Sequence, residues 1–419
     1  LKIQVLGGAR EVGGSCLSVE TDSCKVALDY GIKLEDETPK KYPRDFDAVV
    51  ISHAHLDHTG SLLGLCKNNS PTIVGSDITR DVTVDLLHDM VKIQNEKGNR
   101  DYDDGTAEKV GACWWSRDSV ALPGMNIKLQ SAGHVAGAKM TSIEADKKRV
   151  VYTGDFCIHD TEILTGCRLE TIPKKPDVLI TESTYGGKVR PPREQLVHDF
   201  MQQMHITMKR KGNVLIPTFA FHRSQEMAKR LDTAIINGLL PKYNVYTISN
   251  LAHRINGYFN HHKSLFTKEI KQQKQPFNYK YVKHLYRTQQ IETPAVVICT
   301  SGFGHAGASL KLLSEWCGDE DSSVILTSGY LPPDSPLKQA KEEGFFKIDE
   351  GSFDVNCEVK QIELSGHADQ TELVQMVKKV KPKRTLLVHG DLDQAELLSE
   401  KIGSLTEVSI PETDEVIDV

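Results

Sequence analysis

Residues 52–60 read SHAHLDHTG. This stretch places His53, His55, Asp57 and His58 directly behind the apolar run Ala48-Val49-Val50-Ile51. Burying so many polar side chains without partners would cost several kcal/mol, so the cluster implies a metal ion, one or two. Side chains at i and i+2 after a strand point the same way, so His53 and His55 can share one ion. The chain then turns into a helix carrying Leu62, Leu63, Leu65 and Cys66, which rotates Asp57 and His58 toward a second. Imidazole and carboxylate without thiolate suit zinc, and manganese or iron less well.

Two four-coordinate ions need about seven or eight protein ligands, so the rest of the chain must supply more. Three candidates follow other apolar runs and sit beside glycine. His134 lies in SAGHVAG, Asp155 follows VYTG, and His389 follows Leu386-Leu387-Val388 in VHGD. Asp155 as a bridging carboxylate would hold two ions the ~3.5–4 Å apart that phosphodiester hydrolysis favours.

The surroundings of these residues alternate in rhythm. Ile3-Gln4-Val5-Leu6, Cys16-Leu17-Ser18-Val19 and Val26-Ala27-Leu28 each end at glycine or aspartate, which is strand-and-turn material. Short runs return at 126–155, and helices are expected at 79–98 and 193–211. Between about 184 and 350 strands alternate with helices (223–237, and another from 251), the pattern of a small parallel α/β unit. A strand at 360–364, a helix at 370–379 and the strand 386–388 follow.

Bulk properties exclude several classes. No apolar run of the 419 residues approaches the roughly 18 residues of a membrane span. The nine cysteines are odd in number, scattered and never spaced C-x-x-C, which speaks for reduced thiols in a cytoplasm and against a cysteine-built zinc site. A net charge of −6 gives no global attraction to a polyanion, so a nucleic acid would be held by local features. The basic runs Lys209-Arg210-Lys211 and Lys378 to Arg384 read as solvated surface.

HAHLDH, taken with Asp29, His134, Asp155 and His389, resembles the metallo-β-lactamase superfamily. TESTYG around Glu182, SGHAD around His367, GGAREVGGSC, IPTFAFHRSQE and CTSGFGHAGASL resemble its β-CASP nuclease branch. The resemblance runs over nearly the whole chain. It implies an α/β protein: a metallo-β-lactamase αββα sandwich interrupted by an inserted parallel α/β β-CASP domain. The expected boundaries are 1–183, 184–350 for the insert, and 351–419. By the same resemblance His53, His55 and His134 hold one zinc, Asp57, His58 and His389 the other, and Asp155 bridges them. Asp29 would orient a ligand histidine, and manganese is the alternative ion.

The resemblance also implies hydrolysis of RNA phosphodiester bonds. Asp57 would orient the attacking water, and His367 paired with Glu182 would protonate the leaving 3′-oxygen. His389 stands where DNA-processing relatives typically carry valine, which favours single-stranded RNA. A 5′→3′ exonuclease needs donors for a terminal 5′-phosphate, and the candidates are Arg223, Ser249, Asn250, Ser301, Gly302 and Ser365. Ser249-Asn250 replaces the Asp-Ser-Pro usual in cleavage-factor relatives, and loss of a carboxylate makes the spot kinder to an anion. The chain resembles the archaeal β-CASP ribonucleases that lack an N-terminal KH extension. The expectation is a cytoplasmic 5′→3′ exoribonuclease preferring 5′-monophosphate ends, acting in RNA decay and processing, with no membrane and, by analogy, a homodimer. A cleavage-factor-type endoribonuclease is the alternative. A catalytically dead RNA-binding scaffold and a small-molecule hydrolase stand further off, the first opposed by the complete ligand set and the second by the inserted domain.

Overall fold

Val26 and Leu28 of strand Lys25–Leu28 face one way and Ala27 the other, as the two-residue period of a strand requires. Val26 and Leu28 join Ile3, Val5, Leu17 and Val19 in one core with Ile127, Ile143, Val150, Ile180, Leu386 and Val388 of a second sheet. Ala27 packs instead with Val49 and Ile51 against Leu62, Leu63, Leu65, Leu87 and Val91 from helices. Each sheet therefore gives one face to the other sheet and one to helices, the αββα arrangement.

The computed structural model describes residues 1–33, 38–286 and 291–419. The chain divides into two compact units, residues 1–189 with 366–419, and residues 190–365. In the first unit one seven-stranded sheet runs Val416–Asp418, Lys2–Gly7, Cys16–Glu20, Lys25–Leu28, Ala48–Val50, Ile73–Gly75, Trp114–Ser116. The other runs Glu407–Ser409, Arg384–Val388, Val178–Glu182, Lys148–Tyr152, Lys139–Ala145, Met125–Ser131, Ser119–Leu122. Strand Val416–Asp418 pairs antiparallel with Lys2–Gly7, and Arg384–Val388 runs parallel to Val178–Glu182, so the last segment supplies strands to both sheets. Helix Gln370–Val380 packs on helix Leu392–Ile402, which in turn covers strand Arg384–Val388.

The second unit is a six-stranded parallel sheet in the order Val282–His284, Asn244–Ile248, Ala295–Cys299, Val214–Pro217, Ser323–Leu326, Glu358–Gln361. Val214, Ile216, Val296 and Ile298 face helices Arg193–Lys209 and Arg223–Ile236 through Phe200, Met204, Met227 and Leu231. Leu215, Val297 and Cys299 face Leu312 and Leu313 of helix Gly307–Trp316 on the opposite side. Burial on both faces explains the unbroken apolar runs of these strands.

Local signals and structure differ in several places, of which two are instructive. The strand expected at 360–364 lies at Glu358–Gln361, because its partner Ser323–Leu326 ends opposite Gln361. Helix Asp104–Ala112 was not expected; it buries only Ala107 and Val110, too short an apolar stripe to stand out in sequence. Among the described residues no helix is long and apolar enough to cross a membrane.

Candidate metal centre

The strand ends of the first unit carry the site. Asp29 follows Lys25–Leu28, His53 follows Ala48–Val50, Asp155 follows Lys148–Tyr152, Glu182 closes Val178–Glu182, and His389 follows Arg384–Val388. Asp57 and His58 sit on a single helical turn, Leu56–Thr59, with His55 as its N-cap, and the carbonyls of that turn are pinned by neighbouring backbone. Ser15 N donates to Asp57 O at 2.9 Å, Tyr30 N to His58 O at 2.8 Å, and Ile32 N to Leu56 O at 3.1 Å. Gly31 makes this approach possible, since a Cβ there would lie 1.7 Å from the Asp57 carbonyl oxygen. Asp29 and His389 both hold left-handed backbone, at φ 60 and 48, a conformation that persists for such residues only when surrounding contacts impose it.

Hydrogen bonds select the tautomer of four imidazoles, those of His53, His58, His134 and His389. Asp29 Oδ2 lies 2.7 Å from His58 Nδ1 and also accepts from Tyr152 OH at 2.7 Å and Ser52 Oγ at 2.8 Å. Because the Ser52 hydroxyl donates to Asp29, it accepts from His53 Nδ1, 3.0 Å away. His134 Nδ1 donates to the Gly366 carbonyl at 2.8 Å. Thr184 Oγ1 donates to the His389 carbonyl at 3.0 Å and so accepts from His389 Nδ1 at 3.2 Å. In each ring the second nitrogen, Nε2, is left with its lone pair.

Those lone pairs converge. His53 Nε2 is 3.0 Å from His55 Nδ1, His134 Nε2 is 3.4 Å from the same atom, and Asp155 Oδ2 is 3.5 and 3.7 Å from His53 and His134. Beside them His58 Nε2 lies 3.3 Å from Asp155 Oδ2, and His389 Nε2 lies 3.2 Å from Asp57 Oδ2. Ligand atoms of His53, His55, His134 and Asp155 all fall within 4.8 Å of one another, as do those of Asp57, His58 and His389. Among the described residues His58 Nε2 and Asp155 Oδ1 are buried without a hydrogen-bond partner. Buried acceptors without donors are costly, so the donor set fits cations. Nitrogen and oxygen donors without sulfur fit zinc or a neighbouring first-row ion.

Electrostatics separate the histidines into two groups. Burial drives His53 and His134 well below the ordinary histidine range and brings His55 down to about 4, keeping the three rings neutral. Burial also opposes charge on His58 and His389, but the carboxylates win. Asp155 and Asp29 hold His58 well up, and Asp155 with the Asp57 hydrogen bond brings His389 to about 8. Asp155 is held low by His389 and His58 despite its burial.

Glu182 and His367 meet at the edge of this centre. Glu182 Oε2 is 2.8 Å from His367 Nδ1, while Glu182 Oε1 accepts from Phe156 N at 2.8 Å. The His367 ring lies 4.5 Å from that of His134, and its Nδ1 is 3.8 Å from Asp155 Oδ2. Burial lowers the His367 pKa, but Glu182 and Asp155 outweigh it and the net shift is upward.

The residues suggested for a 5′-phosphate all fall in the second unit, where all but Asn250 have an evident local role. Ser249 caps helix Asn250–His261 by accepting from Ala252 N, and Ser301 Oγ donates to Ala306 O. Arg223 pairs with buried Glu226, as do Arg193 and, at 3.8 Å, Arg230. The Ser365 carbonyl accepts from Arg190 and Arg193, and Gly302 lies against Phe219. Sequence reasoning missed Ser52, Tyr152 and Thr184, which orient His53, hold Asp29 and orient His389. Ser52 stands next to His53 and Thr184 two residues after Glu182, but no local pattern announces a hydroxyl as an orienting group.

An αββα sandwich whose strand ends converge on histidine and aspartate defines a metallo-β-lactamase-type hydrolase. Family comparisons agree: residues 13–197 match the metallo-β-lactamase superfamily, 224–335 the Beta-Casp domain, and 352–411 the "Zn-dependent metallo-hydrolase RNA specificity domain". The chain belongs to the β-CASP nuclease branch of the metallo-β-lactamase superfamily. It is 30% identical to Integrator complex subunit 11 of Danio rerio, over 96% of this chain and 71% of that protein. It is also 30% identical to "Probable RNase MJ4" of Methanocaldococcus jannaschii, over 95% of both, and 28% identical to "Endoribonuclease YSH1" of Candida albicans, over 92% of this chain and 48% of that one. A crystal structure described as a protein of unknown function from Enterococcus faecalis V583 shares the fold at a TM-score of 0.61, 14% identity and 99% coverage of each chain.

Proposed function

We propose that this chain is a dinuclear zinc ribonuclease that degrades and processes single-stranded RNA from 5′-monophosphate ends, 5′→3′. The observation that carries the hydrolytic part is the converging set of imidazole lone pairs around Asp155, with the His367–Glu182 pair beside it. His53, His55 and His134 would hold one ion, Asp57, His58 and His389 the other, and Asp155 both. When bound, such ions supply Lewis-acid polarisation of the phosphodiester and activation of water near neutral pH.

The chain's own residues do the rest. Asp29 keeps His58 oriented through Nδ1. The Asp57 carboxylate, beside His389, orients the attacking water. Glu182 holds His367 at Nδ1 and stabilises its imidazolium, so His367 Nε2 holds the proton that goes to the departing 3′-oxygen. RNA as substrate is supported by the matched RNA specificity domain and by relatives named as ribonucleases.

The exonucleolytic direction is supported by the helix Asn250–His261, whose first turn carries no acidic residue, so an anion there meets no like charge. An endonucleolytic reading is favoured by the relative named as an endoribonuclease and by the local engagement of Ser249, Ser301 and Arg223. Nine free cysteines suit a reducing cytoplasm, and a homodimer is proposed by analogy. RNA labelled at its 3′ end and carrying a 5′-monophosphate, 5′-triphosphate or 5′-hydroxyl separates the two directions. Progressive shortening with a monophosphate preference is expected; discrete internal cuts indifferent to the 5′ group establish the endonuclease instead.

A further inference from the structure

In the second unit, neighbouring strands Val214–Pro217 and Ala295–Cys299 send their chains in opposite directions. From Val214–Pro217 the chain passes through helix Arg223–Ile236 on one face to Asn244–Ile248, which lies beyond Ala295–Cys299. From Ala295–Cys299 it passes through helix Gly307–Trp316 on the other face to Ser323–Leu326, beyond Val214–Pro217. This is a topological switch point, and the crevice outside the carboxyl ends of two such strands is where open parallel sheets bind ligands.

The loops leaving that point carry aromatic rings. Phe219 follows Val214–Pro217 and Phe303 follows Ala295–Cys299, with ring centroids 4.9 Å apart at 87°. Tyr330, after Ser323–Leu326, stands 6.3 Å from Phe303, and His305 stands 6.1 Å from it. Phe219 is 37% exposed, and Phe303 and Tyr330 are half-buried. The loops are braced: Thr218 N donates to Cys299 O at 2.9 Å and Ser335 Oγ to Phe303 O at 2.7 Å. Gly302 lets Phe219 pack close to the backbone, since a Cβ there would be 3.1 Å from both the ring and Phe219 N. Large rings held rigidly yet left partly in water, from three separate loops, form a surface suited to a flat apolar partner. Single-stranded nucleic acid offers one in every base, and aromatic platforms bind it with little regard to sequence.

We infer that Phe219 and Phe303, with Tyr330 beside them, form a stacking platform for an unpaired base of the RNA strand. This rests on the ribonuclease reading. It makes these rings positioning residues that hold a strand by its bases, independent of the phosphate contacts.

The test compares binding of two hydrolysis-resistant phosphorothioate single strands of about ten nucleotides, a length within the usual site size of such platforms. One carries uracil throughout, and the other is the same backbone without bases. The full chain and its Phe219→Leu, Phe303→Leu and Phe219→Trp variants are used; leucine keeps apolar volume so that folding, checked by thermal melting, is preserved. Wild type is expected to bind the base-bearing strand about tenfold more tightly than the abasic one. Each leucine variant should lose most of that ratio without weakening abasic binding, and the tryptophan variant should retain it. Equal weakening of both strands, or of neither, overturns the platform and assigns the rings to folding or to a protein contact. Should wild type neither bind nor cut any single-stranded RNA, the ribonuclease reading itself falls and the platform with it.

Discussion

Glu182 Oε2 stands 2.8 Å from His367 Nδ1, joining residues 185 positions apart. The carboxylate is buried and further held by Phe156 N, so it offers His367 one fixed orientation. His367→Ala should lower the rate of RNA hydrolysis about 10²–10⁴-fold, the usual worth of a general acid. Zinc per chain, measured by elemental analysis, should stay at the wild-type level. Zinc lost together with activity would make His367 a ligand rather than a proton donor.

Asp29 accepts from Ser52, Tyr152 and His58 at once. Asp29→Asn replaces one acceptor oxygen by a donor, so His58 loses its fixed tautomer. Metal affinity should fall about 10–100-fold in chelator competition, as for other orienting carboxylates. Unchanged affinity would show that His58 is placed by packing alone.

Removal of metal should abolish hydrolysis and lower the unfolding temperature, with zinc restoring both. The stabilisation follows ligand linkage, about 4 kcal/mol when free ion exceeds its dissociation constant a thousandfold. A calorimetric scan with and without chelator reads it directly; identical midpoints would argue that no ion binds the folded centre.

Glu226 is buried among Arg193, Arg223 and Arg230. Burial raises its pKa, but Arg223, Arg193 and Arg230 outweigh it and bring it from 4.5 to about 2. A depressed carboxyl stabilises the fold fully above the unfolded value and loses that contribution as pH falls through the folded value. The loss should therefore run from about pH 4.5 down to about pH 2, a few kcal/mol in all. Glu226→Gln should cost about 3–5 kcal/mol at neutral pH and flatten this window in denaturant melts. A variant as stable as wild type would show that the arginines are balanced by other groups.

Much of this was legible locally. Alternating runs such as Lys25–Leu28 marked half-buried strands, unbroken runs such as Ala295–Cys299 marked buried ones, and ligand types followed strand ends. The helices expected at 193–211, 223–237 and 370–379 occur at Arg193–Lys209, Arg223–Ile236 and Gln370–Val380. Helix Asp104–Ala112 escaped notice because its stability comes from contacts with helix Asp77–Glu96 and not from its own pattern. The orienting hydroxyls of Ser52 and Thr184 escaped because their role exists only opposite Asp29 and His389.

By itself the sequence marked SHAHLDHTG as a candidate cation site, since so many imidazoles and carboxylates behind a buried strand have few other partners. Local periodicity marked a parallel α/β unit between about 184 and 350, while the αββα class followed from the resemblance carried by the motifs. Only the tertiary structure decided which nitrogen of His53, His58, His134 and His389 is left bare, that His389 closes against Asp57 from 332 residues away, and that Phe219 and Phe303 meet at a switch point. Those relations depend on strand order and register, which short-range patterns do not encode because each strand could satisfy its own period beside many neighbours.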